Sequence, residues 1–192
     1  MKTTVFFYIL SAGLILSACS SKETPKQVIT QEETEKSGYE TRDNPKTIDK
    51  TELEAISKKL GFKISNMDNI SLYEEVCEWL NTPYKYGGSD KYGADCSGFV
   101  NVVYDNVYGK ELERQTKKIY TDNCERIDKE DLEEGDLVFF QTSGNRNELP
   151  NYVGIYLKND KFVSVSSSKG VIISDLKSKY YAKNWVSGGR VY

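Results

Sequence analysis

The stretch that decides the fold is Asp95-Cys96-Ser97-Gly98-Phe99-Val100-Asn101-Val102-Val103-Tyr104-Asp105-Asn106-Val107-Tyr108-Gly109. Its apolar residues fall at Phe99, Val100, Val103, Tyr104, Val107 and Tyr108, the three-and-four spacing of one helix face. Asp95 stands where an N-cap belongs, and Gly109 where a helix commonly ends. Cys96 therefore opens the first turn of a predicted helix. The N–H groups of that turn lack intrahelical partners, and the positive end of the helix dipole lies beside them. Both favour a thiolate, so a Cys96 pKa below the free value of about 8.5 is expected. The same N–H groups can stabilise an oxyanion in acyl transfer.

Working back from this helix, Asn81-Thr82-Pro83-Tyr84-Lys85-Tyr86-Gly87-Gly88 reads as a turn-rich connector. Before it, Ser71 to Leu80 reads as a helix with a Ser71/Glu74 capping box and an apolar stripe of Leu72, Val76, Trp79 and Leu80. Cys77 lies on or near that stripe and is expected to be a small core residue. A shorter helix is predicted over Thr51 to Leu60, capped by Thr51 with Glu54 and ended by Gly61. Downstream of Asp136 the texture changes to short β-type runs: Leu137 to Phe140, Tyr152 to Leu157, Phe162 to Val165, Val171 to Ile173 and Arg190 to Tyr192. Helices first and meandering strands later give an α+β domain with an antiparallel sheet.

The N-terminus reads as an address. Lys2 precedes an apolar stretch from Val5 to Leu16 that suits a signal-peptide core better than a membrane span. It ends in Leu16-Ser17-Ala18-Cys19, which resembles a bacterial lipobox. That resemblance implies cleavage after residue 18, lipidation of Cys19 and a membrane-anchored protein of the cell envelope. No aspartate follows the cysteine, which points to the outer membrane if the source has two. Residues 19–50 are polar and weakly patterned, and are read as a flexible tether. Residues 51–70 form a short helical lead-in, and the domain proper runs from 71 to 192.

Composition limits the chemistry. The 192-residue chain has a net charge of −3, which gives no electrostatic case for nucleic acid. It contains no histidine, so the one side chain that titrates near neutral pH is missing. The four cysteines, Cys19, Cys77, Cys96 and Cys124, show no paired metal-ligand spacing, so no metal or other cofactor is expected. Cys124 sits between Asn123 and Glu125 and is expected in an exposed polar loop. An exported chain meets an oxidising compartment, so a Cys77–Cys124 disulfide is open, but spacing does not place the two within bonding reach. A monomer is expected.

Four motifs occur in order: Tyr84-Lys85-Tyr86-Gly87-Gly88, Asp95-Cys96-Ser97-Gly98-Phe99-Val100, Glu134-Gly135-Asp136-Leu137-Val138-Phe139-Phe140 and Val153-Gly154-Ile155-Tyr156. Together they resemble the NlpC family of papain-like bacterial cell-wall endopeptidases, over Ser71 to Tyr192. The resemblance implies a papain-like α+β domain whose nucleophile helix packs on a C-terminal antiparallel sheet. It implies a substrate among the stem peptides of peptidoglycan, with Cys96 as nucleophile. Tyr84, Asp95 and Ser97 match positions that bind substrate. Arg114, in Leu112-Glu113-Arg114-Gln115-Thr116, matches an arginine after the nucleophile helix, and a purely structural surface role suits it equally.

The resemblance also shows a break. The family's histidine base, directly before Val-Gly-Ile-Tyr, is Tyr152 here, and its orienting partner falls on Ser164. A Cys-His-His set thus reads Cys96, Tyr152, Ser164. A tyrosine with an ordinary pKa near 10 is a poor base at neutral pH. Two readings remain open: a degenerate member that binds a stem peptide or an envelope protein and hydrolyses poorly, and an active cysteine endopeptidase or amidase with a non-histidine base.

Overall fold

The computed structural model describes residues 48–145 and 147–192. The expected signal segment, Cys19 and nearly all of the expected tether lie outside the described residues. The folded part includes Ile48, which is buried and exchanges hydrogen bonds of 3.0 and 3.2 Å with the Asn66 side chain. Among the described residues no helix is long and apolar enough to cross a membrane.

Helix α1 spans Lys50–Leu60 and α2 spans Ile70–Trp79. Each cap lies two residues earlier than the capping-box reading places it. The α1 cap is Asp49, which accepts the Glu52 N–H at 2.9 Å, and the α2 cap is Asn69, which accepts the Leu72 N–H at 3.1 Å. Thr51 and Ser71 are instead ordinary first-turn residues. Asp and Asn serve at least as well as Ser and Thr in this role, and here they come first along the chain. α2 buries Leu72, Tyr73, Val76 and Trp79, and the Trp79 ring meets Phe99 edge-on at 5.4 Å.

That contact seats α2 on α3, which runs Cys96–Tyr108 as the periodicity predicts. Asp95 caps α3 by accepting the Gly98 N–H at 2.7 Å, and Gly109 closes it in the left-handed conformation. The connector between α2 and α3 carries a small hairpin of β1, Ser89–Asp90, and β2, Gly93–Ala94. After α3, the short helix α4, Thr116–Lys118, runs into a π-helical turn over Ile119–Asn123.

The sheet is built from β3 (Cys124–Ile127), β4 (Leu137–Phe140), β5 (Tyr152–Tyr156), β6 (Lys161–Ser166), β7 (Gly170–Asp175) and β8 (Trp185–Val191), with α5, Lys179–Asn184, before β8. Its six strands lie in the order β3-β8-β4-β5-β6-β7, every pair antiparallel. The α+β expectation therefore holds. Strand β8 is longer than Arg190 to Tyr192 because Gly188 and Gly189 belong to it rather than to a turn. A Cβ on Gly189 would stand 2.7 Å from both Cys124 Sγ and Phe139, so the gap is needed for neighbours to fit.

Alternation along β5 divides the core. Val153 and Ile155 join Leu137, Phe139, Val163 and Val165 on the face that receives α3. Tyr152 and Tyr156 turn to the opposite face, against Val138, Phe140, Phe162, Leu176, Tyr181 and Trp185.

Cys124 corrects an expectation. It is buried, not exposed: it opens β3 opposite Val191, and its thiol donates to the Ile119 carbonyl at 3.4 Å. Strand geometry turns its side chain inward while its neighbour Glu125 is exposed. Cys77 is half-buried against the core, as expected. Cys77, Cys96 and Cys124 are all free thiols, so the Cys77–Cys124 pairing is not formed.

Candidate active site

Cys96 opens on a cleft of about 850 Å³ whose lining includes Tyr84, Tyr86, Asp95, Ser97, Arg114, Thr116, Lys117, Tyr152 and Tyr180. The rim is aromatic and solvent-facing, with Tyr86 88% and Tyr180 56% exposed. The connector supplies the tyrosines Tyr84 and Tyr86, α3 the cysteine, the α4 region the arginine and threonine, and β5 the residue Tyr152.

Gly98 allows this convergence. A Cβ there would lie 2.2 Å from the Gly88 carbonyl oxygen, so only glycine lets the connector press onto the first turn of α3. The connector is then tied in by Asp95. One carboxylate oxygen accepts from the Gly98 N–H, the Ser97 hydroxyl at 3.2 Å and Arg114 at 2.8 Å. The other accepts from the Gly87 N–H at 2.8 Å and from Arg114 at 2.9 Å. Arg114 also donates to Ser97 Oγ at 2.8 Å and to the Gly88 carbonyl at 3.2 Å. Partial burial alone would raise the Asp95 pKa, but Arg114 and the two backbone N–H groups hold it below its ordinary value. The carboxylate is ionised, and its lone pairs are committed to these donors.

The Cys96 thiol departs from the helix-terminus expectation. Burial raises its pKa above the ordinary thiol value. The Val153 N–H, the Thr116 hydroxyl and the Ser97 N–H favour the thiolate, and Asp95 opposes it, so the net direction is upward. Burial disfavours the charged form, and that penalty outweighs the donors of the helix start for this sulfur, which is partly desolvated between α3 and β5. Its side-chain neighbour is Thr116, with Sγ and Oγ1 3.8 Å apart. Sequence reading did not single out Thr116; its position two residues beyond Arg114 is the signal that would have found it.

Tyr152 and Ser164 are brought together, Tyr152 in the lining that Cys96 shares and Ser164 outside it. Their hydroxyls hydrogen-bond at 2.8 Å. Ser164 is fully buried, outside the cleft lining, and Gly154 leaves the space for it: a Cβ on Gly154 would be 3.1 Å from the Ser164 Cβ. The Tyr152 ring packs 6.0 Å from Phe140 and 6.2 Å from Tyr181. Burial first, then the Tyr181 phenol, pushes the Tyr152 pKa far above its ordinary value. Tyr152 thus reaches the cleft as a neutral phenol with its hydroxyl engaged behind it. Among the described residues no cluster of three or more His, Cys, Asp or Glu side chains could hold a metal ion.

The model of the NlpC/P60 family matches residues 81–190, a span that holds every residue lining the cleft. The chain belongs to the NlpC/P60 family. A protein named "Probable endopeptidase NlpC" from Escherichia coli is 42% identical over 120 residues, covering 62% of this chain and 76% of its own length. Another from the same organism, named "Murein DD-endopeptidase MepS/Murein LD-carboxypeptidase", is 33% identical over 183 residues, covering 95% of this chain and 89% of its own. Among solved structures, a Staphylococcus aureus NLP/P60 protein described as similar to lipoprotein superposes with a TM-score of 0.56 at 27% identity, over 79% of this chain and 45% of that one. The Mycobacterium tuberculosis protein RipD, titled a non-catalytic NlpC/p60 domain protein adapted to peptidoglycan binding, shares the fold at a TM-score of 0.51 and 18% identity, over 64% of this chain and 96% of its own. Within this NlpC/P60 domain, the cleft offers a thiol, neutral hydroxyls and a sequestered carboxylate.

Proposed function

We propose that this NlpC/P60 domain is held at the cell envelope through lipidated Cys19 and engages peptidoglycan stem peptides in the Cys96 cleft, with hydrolysis weak or absent. In this reading Cys96 occupies the nucleophile position, Tyr152 the base position and Ser164 the orienting position, while Tyr84, Asp95 and Ser97 contact the ligand. The peptidoglycan assignment is supported by relatives named as murein endopeptidases.

One observation carries the loss of catalysis. Among the described residues that line the cleft, neither Tyr152 nor Asp95 is set to exchange a proton with the sulfur at neutral pH. Tyr152 is a phenol whose pKa is driven up by burial and whose hydroxyl bonds Ser164. Asp95 is consumed by Arg114 and by capping α3. Attack by sulfur on a peptide carbonyl needs a thiolate, and collapse of the adduct needs an acid for the departing amine. Positioned acid–base catalysis contributes roughly 10²–10⁴-fold, and the groups of such a set fail together. That the same fold carries a domain titled non-catalytic fits this reading.

The second reading, an active endopeptidase or amidase, is favoured by the open cleft. Cys96 and Tyr152 both line it, and N–H groups of Val153 and Ser97 face the sulfur. The deciding experiment incubates the full chain with muropeptides and follows products by mass spectrometry. Binding without cleavage supports the proposal, and turnover that disappears in Cys96→Ala overturns it. The anchor is tested separately: Cys19→Ala should move the protein from the membrane fraction to the soluble one.

A further inference from the structure

The cleft carries formal charge of both signs, and the two do not cancel. Its ionised lining residues are Asp95, Arg114 and Lys117. Asp95 and Arg114 neutralise each other through two charge-assisted hydrogen bonds, at 2.8 and 2.9 Å. Among the described residues no carboxylate pairs with Lys117, although its neighbour Lys118 pairs with Glu113 at 3.6 Å. Among the described residues, Lys117 is therefore the one uncompensated cation on the wall.

The local fold explains why it is there. Thr116 and Ile119, three residues apart, both turn inward: Thr116 reaches the Cys96 sulfur, and Ile119 is fully buried. Residues between two such inward positions face outward. Lys117 is therefore exposed, and it is one peptide unit from the residue that touches the sulfur. Lys118 is also exposed but lies off the cleft.

We propose that Lys117 selects ligands carrying a free carboxylate close to the group held over Cys96. This rests on the stem-peptide reading and deepens it: the ligand is an acidic stem peptide with unblocked carboxylates, and amidated stems are disfavoured. A carboxylate placed in the cleft finds Asp95 already satisfied, so it meets little repulsion, and it finds Lys117 unpaired. The interaction is solvent-accessible, so its expected strength is that of a good exposed ion pair, about fivefold in affinity.

The test measures binding of two synthetic probes to the full chain by isothermal titration calorimetry. One is an L-Ala–γ-D-Glu–diamino acid tripeptide with free carboxylates, the other the same tripeptide with its carboxylates amidated. The wild type should bind the acid form about fivefold more tightly, and the margin should shrink as salt rises from 50 to 500 mM. Lys117→Gln should abolish the preference, while Lys118→Gln should retain it. An equal affinity for both probes in the wild type overturns the assignment, as does a preference that survives Lys117→Gln or is lost equally in Lys118→Gln. Failure of both probes to bind overturns the stem-peptide reading itself, and the Lys117 assignment with it.

Discussion

Tyr152 and Ser164 spend their hydroxyls on each other, at 2.8 Å, behind the cleft that Cys96 faces. The two positions that the family resemblance assigns to the base and its orienting partner are thus joined into a hydrogen-bonded pair. Their geometry follows from β-strand alternation: Tyr152 on β5 and Ser164 on β6 share the sheet face away from α3, where Gly154 opens the space between them.

Restoring the imidazoles should restore proton transfer. Tyr152→His with Ser164→His is expected to raise muropeptide hydrolysis by about 10²-fold or more, within the range for positioned acid–base catalysis. Tyr152→His alone should give a smaller gain, because the Ser164 hydroxyl can still hold one ring nitrogen. Product formation by mass spectrometry, with Cys96→Ala in the same background as the zero, checks this.

Cys96 should alkylate slowly. Burial raises its pKa, and the thiolate is the reactive form, so at any given pH the reactive fraction is below that of a free cysteine. The rate with iodoacetamide should still be climbing near pH 10, where a free thiol with a pKa of about 8.5 has levelled off. Thr116→Val removes a donor that favours the thiolate and should slow alkylation at pH 8 about threefold. Rates for Cys96 read by peptide mass mapping keep Cys77 and Cys124 apart from it.

Asp95 links stability to pH. Its folded pKa lies below the unfolded value of about 3.9, so its contribution is fully present above that value. It is lost as the pH falls through the depressed folded pKa. Asp95→Ala should cost about 1–2 kcal/mol at pH 7, the usual loss for a helix N-cap. In urea denaturation the gap between wild type and variant should be constant from pH 5 to 7 and narrow towards pH 2.

Gly98→Ala should harm both stability and binding. The new Cβ would sit 2.2 Å from the Gly88 carbonyl, a backbone atom that cannot rotate away. Overpacking of this kind costs about 1–3 kcal/mol. Because the displaced connector carries Tyr84 and Tyr86, stem-peptide affinity should fall as well, which calorimetry beside urea denaturation would reveal.

Much of this was legible in the residue pattern. The Asp95 cap, the α3 face from Phe99 to Tyr104 and the strands β4 to β7 follow from periodicity and turn chemistry, which act over a few neighbouring residues. The caps of α1 and α2 were displaced because Asp49 and Asn69 compete with Thr51 and Ser71 for the same N–H groups, and pattern alone does not rank them. Strand β3 was not legible, because the polar residues around Cys124 read as a loop, and β8 was partly hidden because Gly188 and Gly189 look like a turn until Cys124 and Phe139 are seen to need their space.

The sequence by itself determined that this chain has no histidine to serve Cys96, and the family resemblance put Tyr152 and Ser164 at the base and orienting positions. Only the tertiary structure decided what those substitutions do. It turned the two hydroxyls towards each other and committed Asp95 to Arg114. It partly desolvated the sulfur, so that burial outweighs the helix terminus. Proton affinity depends on which donors, charges and water surround a group, and those neighbours come from segments far apart in the chain.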